Sequence, residues 1–482
     1  MMNALNASDH QIEPEVSPER PANLSDHIAP IETLPNEVLT GILEAGRRLP
    51  RLSYNNIPIP ILASHISRTF RHVAINNPSL WTNIFASCSA SLGRVHAYLE
   101  RSAQCPLDIT FVLPSGSNHR WTLRDTETCM DMLIVHSSRW REFLLMSNDP
   151  DDTRTVMPLL GGLCTPNLRC MRLCPVRDEF GSVTLGNLLP AQAQLTTLEL
   201  YFDPAKIFAY IYMRDVFRAF PSLATLILHG ACIQLAQCAP DMVIELPSVR
   251  SLSIGIVNDC TDGWLSTMTV LSTPALQTLE LWNFDEEQFH LYRESMEHRT
   301  SAKYPALKSL RLLEVRNDRC SDDMGVWLMK ACPMITHLAI NGPFAEILRI
   351  ITGLPPSMAV DESAHLSAYP VWPKLSSLTL IGTDVRRISQ MEELMLLNVM
   401  CSRPRMGLTE LRMERRIVEY MNHRSVTHHK SIGKWLPDSV RLEQIETEDY
   451  HAYLSRITSP YLEEKVFGTS TFWQNSMDLY GG

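Results

Sequence analysis

Apolar positions recur along most of this chain in one phrase: an apolar residue, two others, a second apolar residue, one other, and a third. It is plainest in PNLRCMRL (Leu168, Met171, Leu173) and PALQTLEL (Leu276, Leu279, Leu281). It returns with Leu195, Leu223, Val249, Leu307, Ile335, Leu375 and, in weaker form, Leu408 in the leading position. From each leading residue to the next the spacings are 27, 28, 26, 27, 31, 28, 40 and 33. Periods of roughly 20 to 50 residues mark stacked structural units, and this leucine spacing is that of a leucine-rich repeat. The last two apolar residues of the phrase, two apart, share one side of a short strand, while the first turns in before it. Stacked strands of this kind predict a parallel sheet along the inner face of a curved solenoid. Segments such as AKIFAYIYMRDVFRAF and SDDMGVWLMKAC carry apolar residues at helical spacing and would cover the outer face. A proline before each phrase is expected to end the preceding helix or loop.

The pattern differs before and after this region. Residues 1–29 are acidic, rich in Pro and Ser and nearly free of aromatics, which predicts a disordered tail. In residues 30–85 the periodicity becomes helical. Leu34, Val38, Leu39, Ile42 and Leu43 fall on an amphipathic helix with Pro35 near its first turn, and a second stripe runs through Ile61, Leu62, Ile66, Phe70, Val73 and Ala74 to a stop at Asn77-Pro78. The two make a helical module of a size suited to docking. Residues 86–139 form a connecting unit and possible first irregular repeat, with a helix around LGRVHAYLERSAQ and an alternating strand LDITFVL. Trp140, Phe143 and Leu145 in SSRWREFLLM repeat the leucine spacing 28 residues before Leu168, so the solenoid is assigned to 140–416. The long intervals hold an insertion around Pro355 and Pro356 and a helix in MEELMLLNVM, while 417–482 reads as an atypical cap and tail. The expected fold is therefore α/β, a small N-terminal helical module followed by the solenoid.

Composition narrows the function. Against 43 Lys and Arg stand 53 Asp and Glu, a net charge of -10, so the phosphate neutralisation that drives nucleic-acid binding is poorly supplied. No apolar run reaches 18 residues and no export signal opens the chain, so no membrane association is expected and an intracellular location, cytoplasmic or nuclear, is. The twelve cysteines are scattered without paired spacings and read as reduced and mostly packed. Cys164, Cys170 and Cys174 lack the second pair that a zinc site needs, and His423, His428 and His429 sit in a polar stretch; no metal or cofactor is expected. Phosphate-cradling glycine loops, the HExxH zinc motif and the GxSxG nucleophile elbow are all missing, and Asp149, Asp151 and Asp152 make a polar loop, so no catalytic residue is assigned.

A recognition surface is the better expectation. Residues alternating with the buried leucines should point outward from the strands: Glu199 and Tyr201, His229, Glu280 and Trp282, Arg311, Asn341, and Arg412. Tyr, Trp and Arg concentrate binding energy at interfaces, which makes these the candidate contacts to a target protein.

The module at 30–85 resembles an F-box. LPNEVLTGIL at 34–43 followed by HISRTFRHVAINNPSLW at 65–81, then LERSAQCPLDITF, is similar to the form common among fungal F-box proteins with leucine-rich repeats. That resemblance implies a substrate-recruiting subunit of an SCF-type cullin-RING ubiquitin ligase, a non-catalytic adaptor in the ubiquitin-like conjugation pathway. Its F-box would dock a Skp-type linker protein, and through it a cullin, while the repeats hold a target whose identity the sequence leaves open. Leu34, Pro35, Val38, Leu39, Ile42, Ile66, Phe70, Pro78, Leu80 and Trp81 match the module's apolar positions, some contacting the linker and others holding the helices together. Where the family pattern V-C-R-x-W-R has Cys and Trp, this chain has Ser67 and Phe70; an unpaired Ser67 hydroxyl would be penalised, and weakened docking is expected. The competing reading is a leucine-rich-repeat scaffold with no ligase association.

Overall fold

Six of the leucine phrases open with a hydrogen-bonded turn that has proline inside it. Thr165, Phe220, Leu246, Thr273, Tyr304 and Trp372 each precede a proline, and each carbonyl accepts the N–H of the leading apolar residue three positions on, at 3.0 to 3.3 Å. Proline therefore occupies the second position of a β-turn, where its fixed φ is already correct, so it starts the strand unit as well as closing what precedes it. The turn sets the leading residue inward, and a short strand follows.

In the computed structural model the described residues are 31, 34–48, 57–87, 92–113, 122–147, 156–176, 194–202, 208–230, 233–234, 243–255, 267–283, 303–313, 331–342, 347–348, 351, 372–381, 396, 399, 407–425 and 440–445. The tail over 1–29, Asp149 to Asp152, the insertion at Pro355 and Pro356, most of SDDMGVWLMKAC and MEELMLLNVM, and His428 and His429 lie outside them.

The strands in chain order are β1 (Asn83–Ala86), β2 (Leu107–Leu113), β3 (Trp140–Ser147), β4 (Cys170–Val176), β5 (Thr197–Phe202), β6 (Phe208–Ala209), β7 (Thr225–His229), β8 (Ile233–Gln234) and β9 (Ile244–Glu245). They continue with β10 (Ser251–Gly255), β11 (Leu271–Ser272), β12 (Thr278–Trp282), β13 (Ser309–Leu313), β14 (His337–Asn341), β15 (Ser377–Ile381), β16 (Glu410–Glu414) and β17 (Arg441–Ile445). Thirteen of these form one parallel sheet in strict chain order, while β6 with β8 and β9 with β11 make two small pairs. This is a mixed α/β fold, a large parallel sheet flanked by helices in a solenoid-like arrangement.

Register explains why the phrase repeats. Leu198, Leu226, Leu252, Leu279, Leu310, Leu338, Leu378 and Leu411 align across neighbouring strands, as do Leu200, Leu228, Ile254, Leu281, Leu312, Ile340, Leu380 and Met413. None of these sixteen is more than 4 % exposed. Each contributes roughly 1.5–3 kcal/mol by leaving water, and each stacks only on adjacent strands, so the core is a spine rather than a ball.

Helices close the other side of that spine. The Tyr210–Arg218 helix buries Met213, Val216 and Phe217, and α4 (Leu92–Arg101) buries Val95, Tyr98 and Leu99 at the same spacing. Here α1 to α3 denote the N-terminal helices Asn36–Arg48, Ile59–Ile66 and Arg68–Ile75. The helix α5 (Leu123–Ile134) was not anticipated, although it carries a capping box: Thr122 Oγ1 accepts from Asp125 N–H and the Asp125 carboxylate accepts from Thr122 N–H. At the far end, the polar segment expected to be an unassigned cap contains the helix Arg415–Ser425 and strand β17. β17 carries the exposed Arg441 and the half-buried Glu443, and charge on an edge strand discourages further pairing.

The chain divides into two compact units, Met1–Leu80 and Trp81–Gly482. In the first, the second apolar stripe is not one helix. At Ser67 the backbone turns extended (φ -153°, ψ 173°), which separates α2 from α3. The Ser67 hydroxyl accepts the Phe70 N–H at 3.3 Å, so the side chain expected to be an unpaired liability is an N-cap. Asn77 and Ser79 reach back to Glu44 on α1, with Ser79 Oγ 2.7 Å from Glu44 Oε1.

Candidate docking and recognition surfaces

The helical unit sorts its apolar positions into two sets. Leu39, Leu43, Ala63, Phe70, Val73, Ala74 and Leu80 are buried and hold the helices together. Val38 and Ile42, one turn apart on α1, are 45 % and 44 % exposed, and Leu62 and Ile66, one turn apart on α2, are 44 % and 57 % exposed. Ile31, Ile57 and Ile75 are exposed as well. Among the described residues, seven of the eleven exposed large hydrophobic side chains therefore belong to this unit; the others are Val135, Ile211, Val243 and Met334. Of the ten motif positions, Leu39, Phe70, Leu80 and Trp81 are buried, Pro35, Val38, Ile42 and Ile66 exposed, and Leu34 and Pro78 half-buried. Trp81 belongs to the second unit, where Tyr98 meets it edge-on at 5.0 Å and the Arg101 guanidinium lies 4.4 Å over its ring.

The face of the sheet opposite the leucines carries three rows. The first residues of the strands make a row of hydroxyls, among them Thr197, Thr225, Ser251, Thr278 and Ser309. Two residues on comes a charged row, in which side chains pair across neighbouring strands. Arg172 Nε donates to Glu199 at 2.8 Å, Arg311 Nη1 to Glu280 at 3.2 Å, and Arg412 lies 3.1 Å from Glu443. Burial pushes the Glu199 carboxyl above its ordinary value, with Arg172 opposing, while Arg172 itself is held high because Glu199 and its other neighbours outweigh the burial that would lower it. Arg412 also stands 3.3 Å from Glu410, which accepts from Ser377 Oγ.

The third row corrects the expectation of an open surface. Tyr201, His229, Trp282 and Asn341 lie opposite the leucines as the alternation requires, yet they are 2 to 3 % exposed, and Glu199 and Glu280 are 5 % exposed. Tyr201, His229, Gly255 and Trp282 share one register position on adjacent strands, so the rings cover one another: His229 is 5.2 Å from Tyr201 and 5.8 Å from Trp282 by centroid. Arg311 and Arg412 alone among the eight candidates keep partial exposure. Two participants were missed. Gly255 leaves the room that the His229 ring fills, since a Cβ there would stand 2.3 Å from Nδ1. Ser253 joins His229 Nε2 (3.4 Å), Glu280 Oε1 (3.1 Å) and Trp282 Nε1 (3.1 Å). Both sit at outward positions of PSVRSLSIG, where strand alternation alone points to them.

Ser253, His229 and Glu280 superficially suggest a nucleophile, base and acid. The geometry is wrong for that chemistry, because Glu280 binds the serine hydroxyl and the indole rather than the far nitrogen of the imidazole. Burial also pushes His229 down to about 3, which makes it a poor base. Elsewhere, Cys170 and Cys174 are buried and Cys164 is exposed, all as free thiols, and burial raises Cys170 to about 12. No group of three or more His, Cys, Asp or Glu among the described residues is placed to hold a metal, and no described helix is long and apolar enough to cross a membrane. No known protein-family model matches the chain, and no curated protein does.

Proposed function

We propose that this chain is a substrate-recruiting adaptor of an SCF-type ubiquitin ligase, an F-box module joined to a leucine-rich-repeat solenoid. The observation that carries the reading is the concentration of exposed apolar side chains on the small helical unit, at Val38, Ile42, Leu62 and Ile66. Apolar area left in water on so few residues marks a surface that is covered by a partner. In this reading Val38, Ile42 and Ile66 contact the Skp-type linker, with Pro35 beside them, while Leu39, Phe70 and Leu80 keep the helices in place. The repeat unit holds the target, and the adaptor acts by raising the concentration of target lysines near a charged enzyme held elsewhere in the complex.

Copurification from a native extract tests this. The full chain should bring down linker and cullin, and Val38→Asp with Ile42→Asp should lose both while keeping the wild-type circular dichroism. Capture that survives deletion of residues 31–85, or a wild-type chain that captures neither protein, would leave a repeat scaffold without ligase association.

A further inference from the structure

The N-terminal rim of the sheet carries a charge pattern that the net charge of -10 hides. Along β4, β5, β7, β10, β12, β13 and β14, the residue just before each strand and the first residue of the strand form two parallel rows. Neither row contains an Asp or Glu, and the three cations in them, Arg169, Arg250 and Lys308, are all exposed. The remaining positions are Thr, Ser, Cys, Gln, Ala and His337. Among the described residues no carboxylate pairs with Arg169, Arg250 or Lys308, whereas Arg172 and Arg311 on the next row are each joined to a glutamate. The nearest carboxylates on that next row, Glu199 and Glu280, are thus buried and already neutralised.

We infer that this rim binds an acidic, extended segment of the target protein, laid across the strands with its carboxylates on Arg169, Arg250 and Lys308. The inference rests on reading the repeat unit as the part that holds the target. Neighbouring strands lie about 4.8 Å apart, so three steps from β4 to β10 place Arg169 about 14 Å from Arg250, and two more place Lys308 about 10 Å beyond. An extended chain advances about 3.4 Å per residue and turns alternate side chains to opposite faces, so carboxylates at positions 1, 5 and 7 share one face and meet the three cations in turn, the long Lys308 side chain spanning the remaining ~3 Å. The hydroxyls of the second row, Thr197, Thr225, Ser251, Thr278 and Ser309, lie alongside as donors to such a segment. From β4 to β14 the rim offers cations and no carboxylate, which sets the sign, and the exposed Glu142 on β3, in register with Cys170, marks its acidic border; a neutral segment would gain nothing from the three charges.

Fluorescence anisotropy of the full chain with a labelled Gly/Ser peptide carrying Glu at positions 1, 5 and 7 tests this directly. At low salt the peptide should bind about tenfold more tightly than its Gln counterpart, and the preference should fade in about 0.5 M salt, where the Debye length is only a few ångströms. Arg250→Gln with Lys308→Gln should cost about fivefold in affinity at unchanged thermal stability, and Val38→Asp with Ile42→Asp should cost nothing. Equal binding of the Glu and Gln peptides, or wild-type affinity in the Arg250 and Lys308 variant, overturns the inference. Charge-dependent peptide binding without linker capture supports it and overturns the ligase reading; linker capture without it overturns this inference alone.

Discussion

Gly255 is where the packing of the polar face can be tested most sharply. A methyl group added there would lie 2.3 Å from Nδ1 of His229 and 2.8 Å from both Cγ and Cε1. Contacts that short are repulsive, and the ring has little freedom to retreat, because His229 is 2 % exposed with Tyr201 and Trp282 on its two sides. Strand propensity alone would make Gly→Ala favourable by roughly 0.5–1 kcal/mol. Overpacking of a filled site costs roughly 1–3 kcal/mol, so the clash wins and Gly255→Ala should destabilise by about 1–2 kcal/mol. His229→Ala removes the clashing atoms at the expense of a cavity. In that background Gly255→Ala should be neutral or stabilising, giving a coupling of about 2 kcal/mol in the double-mutant cycle. Urea unfolding of the four proteins, followed by circular dichroism and by tryptophan fluorescence, measures it. Additive effects, with the alanine equally harmful in both backgrounds, would refute the ring-in-the-gap arrangement.

Acid should loosen the same row. His229 has a folded value of about 3 against an ordinary 6.5, so its neutral form is favoured in the folded chain; the stability this gives is complete above about pH 6.5 and is lost as pH falls toward 3. At roughly 1.4 kcal/mol per pH unit the loss is on the order of 5 kcal/mol, and His229→Phe should flatten this part of the stability profile; an unchanged profile would show that the ring does not titrate as described. Ser67→Ala should remove the cap on α3 and cost about 1 kcal/mol in thermal unfolding of the helical unit, with Ser67→Asp restoring it. Leu39→Ala should destabilise that unit by roughly 2–5 kcal/mol, while Ile42→Ala should leave stability within about 0.5 kcal/mol and weaken linker capture; the reverse pattern would exchange the roles assigned from their burial.

The spine was legible because its residues are fixed by local rules repeated many times. A leucine at each inward position of a strand is both a sequence pattern and a packing row, so reading one gave the other. Strand alternation also put Tyr201, His229 and Trp282 on the correct face. Their burial was not legible, because it depends on neighbours about 27 residues away in sequence and on one glycine, Gly255, whose significance is a missing atom. The break at Ser67 was hidden for a related reason: helical periodicity runs through it with apolar residues on both sides, and only the cap betrays the interruption. The division of Leu39 from Ile42 lay beyond the sequence as well, since both are apolar and three residues apart, and burial alone separates 0 % from 44 % exposure.

Amide hydrogen exchange of the full chain, with and without the purified Skp-type linker, puts the docking surface to the most direct test. The account predicts added protection in α1 and α2, around Val38, Ile42, Leu62 and Ile66, and none in strands β5 to β14. Protection confined to the strands, or no change in either helix, would contradict it.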